Sequence, residues 1–265
     1  MSASAMMASA AFDLSGQSAL VTGANTGIGQ AIAVALAGAG ADVVALVRSD
    51  ASETVDLITA LGRRCTVLNA SIESVDSIRA AIDSAFEQAP NLSILVNNAG
   101  TIRRSFALDF TESDWDDVMG LNLKSAFFLA QAFARNWLAG EHAGASRPQA
   151  KLINVVSMLS FQGGLRTASY TASKTGLLGV TRLLANEWAA RGINVNALAP
   201  GYIETNNTTA LRADAQRNKD ILARIPAGRW GQPGDLAGAA VFLASPASNY
   251  VHGAVLPVDG GWLAR

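Results

Sequence analysis

Three side chains have the types and spacing of a proton-transfer site. Tyr170 and Lys174 stand four residues apart in Tyr170-Thr171-Ala172-Ser173-Lys174. On a helix that spacing puts both on one face. An ammonium beside a phenol favours phenolate and lowers its pKa from ~10 toward the working range. Such a tyrosine can take a hydroxyl proton while hydride leaves the same carbon. Ser157 lies thirteen residues earlier, at the end of an apolar run, where its hydroxyl can hold a substrate oxygen. Each feature alone has an ordinary explanation, as a surface pair or a cap. Asn122, in Leu121-Asn122-Leu123, sits within an apolar stretch expected to be helical and there needs hydrogen-bond partners.

A second constellation concerns phosphate. One apolar run ends in Thr22-Gly23-Ala24-Asn25-Thr26-Gly27-Ile28-Gly29, and a helical pattern follows at once. Glycines allow a tight turn and close approach of a phosphate to backbone. A helix N-terminus then offers free N–H groups and the positive end of its dipole. Asn97-Asn98-Ala99-Gly100 closes another run, with turn chemistry of its own.

These residues need a scaffold, and the pattern of the chain supplies one. Val/Ile/Leu-rich runs fall at Ser18–Thr22, Asp42–Val47, Cys65–Leu68, Leu92–Val96, Lys151–Val156, Ile193–Leu198 and Ala254–Val258. Continuous apolar runs suit strands buried on both faces. Helix-like segments alternate with them: Gly29–Gly38, Ser52–Leu61, Ser74–Gln88, Thr111–Leu138 and Ala168–Arg191. The repeated βαβ pattern predicts one α/β domain over residues 12–265, a doubly wound parallel sheet of about seven strands with helices on both faces. Residues 1–11 are expected to be a disordered tail and Gly140–Gln149 a loop insertion. Residues 202–224 are too long for an ordinary connection and leave a strand's carboxyl end, the position of a lid.

Composition excludes several classes. Half of the 265 residues are hydrophobic and only 15% are charged, where about 25% is usual. A net charge of −1 argues against nucleic-acid binding. One cysteine and two histidines leave no disulfide framework and no Cys/His zinc site, and fit a reducing compartment, so a cytoplasmic protein is expected. No metal site and no membrane span are expected. The low charge concentrates at Leu121–Leu138, Ala172–Ala190 and Asp235–Ala244. Helices apolar nearly all round need cover on more than one side, which suggests subunit interfaces.

The glycine spacing, the Asn-Asn-Ala-Gly turn, Asn122, Ser157 and the Tyr/Lys pair together resemble the short-chain dehydrogenase/reductase family, from Phe12 to Arg265. The resemblance implies a Rossmann-type fold, a homotetramer and nicotinamide-dependent hydride transfer. It makes Tyr170 the general acid/base and Lys174 the group that lowers its pKa and binds the nicotinamide ribose. Ser157 would orient the substrate, and Asn122 would hold a relay water. It places the dinucleotide on Gly23, Asn25, Thr26, Gly27, Ile28, Gly29, Arg48, Ala70, Ser71, Asn98, Ala99, Gly100, Tyr170, Lys174, Pro200, Gly201, Ile203 and Thr205.

NAD is the expected cofactor. NADP is the alternative, because Arg48 stands where an acid would bond a ribose 2′-hydroxyl. Ser71 replaces the family's usual Asp. Thr26 stands where many NADP-preferring relatives carry Arg or Lys.

The segments Ile102–Arg104, Asp114–Met119, Ser157–Gly164, Ala199–Tyr202, Thr205–Thr208, Arg224–Gly231 and Asp259–Arg265 resemble a subgroup that oxidises deoxy-sugar acids in bacterial pectin-uronate breakdown. Independently, arginines near a pocket favour an anionic substrate, since Arg pairs with carboxylate in a bidentate manner. Arg103, Arg104, Met158, Gln162, Arg166, Tyr202 and Asn206 are therefore the expected substrate contacts. Two alternatives stand beside this reading. One is NADPH-dependent reduction of a 3-oxoacyl thioester or another carbonyl. The other is a dinucleotide-binding regulator without catalysis.

Overall fold

The computed structural model describes residues 10–140 and 149–265. The expected tail up to residue 9 and most of the Gly140–Gln149 insertion lie outside the described residues. Strands β1 (Ser18–Thr22), β2 (Asp42–Val47), β3 (Cys65–Asn69), β4 (Leu92–Asn97), β5 (Ala150–Val155), β6 (Ile193–Pro200) and β7 (Val255–Val258) form one sheet, ordered 3-2-1-4-5-6-7. All six pairings are parallel. β1 pairs with both β2 and β4, so the winding reverses between β1 and β4. That reversal opens a crevice at the carboxyl ends of these strands, where open α/β sheets bind ligands.

Successive strand side chains point to opposite faces, so each run feeds two cores. Leu20, Leu92, Leu95, Leu152 and Val195 pack with helices α3 (Val75–Gln88) and α5 (Ser125–Ala139). Ala19, Val21, Ile94, Val96 and Ile153 pack on the other face with α1 (Gly27–Gly38) and α9 (Ala237–Ala244). Between these come α2 (Ser52–Ala60), α4 (Glu112–Met119), α6 (Ala168–Trp188), α7 (Thr209–Ala213) and α8 (Ala215–Leu222). No helix among the described residues is long and apolar enough to cross a membrane.

Two expectations are refined. The expected helical segment Thr111–Leu138 is continuous but contains a π-helical turn, Gly120–Lys124, between α4 and α5. Gly120 weakens the helix there, and the Ser125 hydroxyl lies 2.8 Å from the Gly120 carbonyl and 2.7 Å from that of Ile72. The apolar surplus of α5 is also largely covered within the chain. Phe133 is fully buried and meets Phe86 of α3 at 5.7 Å, and Arg135 and Ala139 are the exposed residues of this helix. Large apolar side chains are exposed at Phe106, Leu108, Phe161, Leu165 and Tyr250, and on α6 at Leu183.

The 202–224 segment is folded. Ile203 forms an isolated parallel bridge with Gly231, and Asp214 caps α8 through the Gln216 and Arg217 N–H groups. Beneath it Met158, Ile221, Ile225, Trp230 and Trp262 make a small core of their own.

Candidate active site

A cleft of about 700 Å³ opens at the switch point. Its floor is the glycine loop. Gly23 and Gly27 have φ of +65° and +57°, conformations that glycine adopts without strain. Gly29 packs so closely on the Gly23 carbonyl and the Asn98 amide that a Cβ would overlap both. Thr26, the residue preceding α1, makes no side-chain cap, and the first turn of α1 carries no acid. The helix therefore presents N–H groups and positive potential to the cleft, which fits a pyrophosphate.

The opposite wall is tied to this floor. Thr22 Oγ1 accepts from the N–H groups of Asn98 and Ala99, both at 2.9 Å. Asn98 Nδ2 donates back to the Thr22 and Gly23 carbonyls at 2.9 and 3.3 Å. At the rim, Asn25 Nδ2 donates to Ser49 Oγ at 2.9 Å, and Arg48 pairs with Glu73 at 3.3 Å while both remain exposed.

Every expected cofactor residue lines the cleft except Ser71. The exposed Ser71 hydroxyl accepts the Glu73 N–H at 3.3 Å, and Ile72 takes its place in the lining. Asn207 and Thr208, from the expected lid approach, also line the cleft, as do Ser49 and Val155, which were missed. Ser49 and Val155 stand at or just past the carboxyl ends of β2 and β5, a position that marks ligand contacts in this architecture.

Ser157, Tyr170 and Lys174 meet on one wall. Lys174, 3% exposed, donates from Nζ to the Val155 carbonyl at 2.7 Å and lies 5.8 Å from the Tyr170 ring centre. Burial lowers its pKa from 10.5 to about 8. Burial pushes the Tyr170 phenol up from its ordinary value, while a hydrogen bond with Ser157 and the charge of Arg104 pull it down. Desolvation is the largest of these effects.

Asn122 lies in the π-turn, and its side chain has the hydrogen-bond partners that its burial requires. Oδ1 accepts the Thr101 N–H at 2.8 Å, while Nδ2 donates to the Thr101 carbonyl at 2.9 Å and to Ser173 Oγ at 3.2 Å. It lies beside the site, since a Cβ on Gly100 would come within 3.0 Å of Asn122 Oδ1 and 3.6 Å of Lys174 Nζ.

The expected substrate residues separate. Asn206 lines the cleft. Arg104 donates to the Asn207 carbonyl at 3.0 Å and has no carboxylate partner among the described residues. Arg103 is engaged by Asp114 and Asp117 of α4 at 3.5 and 3.4 Å. Arg166 has φ +64° and stacks 5.1 Å from the centre of the Phe106 ring. Met158 is 5% exposed and packs under the lid. Tyr202 stands edge-on to Trp230 and Trp262 at 5.3 and 4.8 Å. Arg103, Arg104, Met158, Gln162, Arg166 and Tyr202 do not line the dinucleotide cleft.

A family model described as enoyl-(acyl carrier protein) reductase matches residues 23–263. The chain is 57% identical to the 2-dehydro-3-deoxy-D-gluconate 5-dehydrogenase of Escherichia coli, over 96% of this chain and 98% of that one. It is similar to an Agrobacterium tumefaciens protein solved with bound NADP, with TM-score 0.88, 59% identity and coverage of 96% and 99%. It is also similar to a gluconate 5-dehydrogenase from Burkholderia cenocepacia solved with NADP and tartrate, with TM-score 0.91, 38% identity and coverage of 97% and 99%. With this fold, a glycine-floored crevice, and relatives matched over nearly their whole length, the chain belongs to the short-chain dehydrogenase/reductase family of NAD(P)-dependent oxidoreductases acting on CH–OH groups.

Proposed function

We propose that the protein exchanges hydride between a nicotinamide dinucleotide and a secondary alcohol of a deoxy-sugar acid, of the 2-deoxy-D-gluconate or 2-dehydro-3-deoxy-D-gluconate type. The observation that carries this reading is Arg104. It is a guanidinium with no carboxylate partner among the described residues, and it donates to the carbonyl of Asn207, a residue that lines the cleft. A sugar carboxylate supplies the missing partner, whereas a neutral 3-oxoacyl thioester does not. The names of the relatives support the same substrate class.

The dinucleotide, when bound, supplies the hydride acceptor or donor. The glycine loop and the start of α1 would hold its pyrophosphate, and Pro200, Gly201, Ile203 and Thr205 line the same cleft as Tyr170. Ser157 orients the substrate oxygen. Tyr170 takes the hydroxyl proton at its phenolic oxygen during oxidation and returns it during reduction. Lys174, titrating near 8, holds positive charge beside the ring at neutral pH and binds the ribose hydroxyls. Asn122 fixes the Thr101 segment against Ser173, which lies next to Lys174 in α6.

For the cofactor we propose NADP ahead of the expected NAD. Arg48 and Ser49 line the rim where an acid would exclude a 2′-phosphate, and the two structural relatives were solved with NADP. We also propose a homotetramer, which light scattering would show as four times 27.4 kDa.

The purified protein is expected to reduce NADP⁺ with 2-deoxy-D-gluconate, followed at the nicotinamide absorbance. No turnover of any deoxy-sugar acid, in either direction and with either dinucleotide, refutes the reading.

A further inference from the structure

Ser157 is set on a short turn, and that turn is fastened to the helix that carries Tyr170 and Lys174. Ser157 follows β5 by two residues, and Met158–Ser160 forms a single 3₁₀ turn after it. Ser157 Oγ accepts the Leu159 N–H at 3.1 Å, and the Ser157 carbonyl accepts the Ser160 N–H at 2.9 Å. The first bond fixes the Ser157 hydroxyl relative to its turn. Ser160 fixes the turn relative to α6. Its buried hydroxyl donates to the Lys174 carbonyl at 2.8 Å. Thr175 adds a longer contact at the surface, from Oγ1 to the Leu159 carbonyl at 3.4 Å.

Lys174 is thus held twice by one stretch of chain. Its Nζ donates to the Val155 carbonyl, and its own carbonyl accepts from Ser160. Ser157 lies between those two anchors, and Tyr170 lies one helical turn before Lys174 on the same face. Segment 155–160 and the start of α6 therefore close a ring of contacts around the part of the cleft that Ser157, Tyr170 and Lys174 line. The helix does not need the Ser160 bond. Lys174 is interior to α6, so its carbonyl already accepts the N–H four residues on. Alanine at 160 would leave neither partner unpaired. What the hydroxyl adds is the seat of the turn. Met158 packs the turn against the lid core, and the connecting loop is exposed at Phe161 and Leu165, so Ser160 is its buried polar tie on the α6 side.

We propose that Ser160 is a positioning residue of the reaction: by seating the Met158–Ser160 turn on the Lys174 carbonyl, it fixes Ser157 relative to Tyr170 and Lys174. This role rests on those given above to Ser157, Tyr170 and Lys174, and it belongs to a residue outside the lining of the cleft. Ser160 therefore acts through Ser157. Moving a group by about 1 Å from its reacting geometry costs up to about 10²-fold in rate. The glycine floor that receives the dinucleotide is untouched by such a shift.

The test is a double-mutant cycle on Ser157→Ala and Ser160→Ala in the full chain, with 2-deoxy-D-gluconate and NADP⁺ in steady-state kinetics. Ser160→Ala is expected to lower kcat by about tenfold to a hundredfold, with KM for the sugar acid and the NADPH Kd by fluorescence each within about threefold of wild type. In the Ser157→Ala background the same change is expected to lower kcat by less than about twofold, because the group it positions is gone. A melting temperature within about 4 °C of wild type shows that Ser160→Ala folds.

A kcat for Ser160→Ala within about twofold of wild type, with Ser157→Ala impaired, overturns the proposal and leaves the role of Ser157 intact. A loss as large in the Ser157→Ala background as in wild type also overturns it, since the hydroxyl then supports the fold at large. Full activity in Ser157→Ala removes the role of that serine and the proposal with it. A wild type that reduces a 3-oxoacyl thioester and oxidises no sugar acid removes the substrate reading, and the same non-additive cycle on that thioester upholds the role of Ser160.

Discussion

Gly29→Ala puts two effects of opposite sign into one residue. Gly29 is the third residue of α1 and is buried. In an open helix, Ala is favoured over Gly by ~1 kcal/mol. Here the added methyl would overlap the Gly23 carbonyl oxygen and the Asn98 amide nitrogen. Neither can swing away. The first is backbone, and the second is held by hydrogen bonds to the Thr22 and Gly23 carbonyls.

Overpacking against fixed groups costs ~1–3 kcal/mol. With no flexible neighbour, the upper end applies, for a net loss of about 2 kcal/mol. That is roughly 4–8 °C in melting temperature for a chain of this size. The loop must shift to relieve the contact. Losing one charge-assisted bond to pyrophosphate weakens dinucleotide binding by about tenfold to a hundredfold. Gly38→Ala at the other end of the same helix is the control, since nothing lies within 4 Å of its Cβ position. It is expected to raise the melting temperature by roughly 2–4 °C. Differential scanning calorimetry and NADPH fluorescence titration read both quantities. A Gly29→Ala protein that melts at or above wild type with an unchanged Kd would refute the reasoning.

Tyr170→Phe is expected to lower kcat by ~10²–10⁴-fold, with NADPH affinity measured by fluorescence held within about threefold. Arg48→Glu is expected to raise KM for NADP⁺ about tenfold relative to that for NAD⁺ in steady-state kinetics. Lys151 and Lys174 are both buried and lowered to about 8. Between about pH 8 and 10.5 the unfolded chain holds their protons and the folded chain does not, so their contribution to stability rises with pH. Cys65, pushed up by burial, works in the opposite direction. Thermal melts from pH 7.5 to 9.5, without added dinucleotide, should therefore rise more steeply in wild type than in Lys151→Met. Equal slopes would contradict the burial of Lys151.

Strand positions were legible because a strand buried on both faces must be apolar throughout, and β1 and β2 begin and end where the runs Ser18–Thr22 and Asp42–Val47 do. The lining of the cleft was equally legible. A glycine whose neighbours leave no space for a methyl, such as Gly29, is a local property that spacing reports. The π-turn was not, because it depends on Asn122 and Ser125 bonding to Thr101 and Ile72, which are distant in the chain. Nor could sequence sort the arginines. Arg103 and Arg104 are adjacent, yet α4 places two carboxylates beside the first and none beside the second. The direction of the Tyr170 shift needed the depth of the ring as well as its charged neighbours.

The mutual hydrogen bonds between Thr22 and Asn98 make the two lips of the crevice a single rigid part. Anyone retrofitting this enzyme for another dinucleotide would find that part closed to redesign, since altering either residue releases both β1 and β4. The adjustable part is the rim, where Arg48, Ser49 and Asn25 are each held by one weak contact. Cofactor choice can therefore drift in such a scaffold while pyrophosphate binding stays fixed.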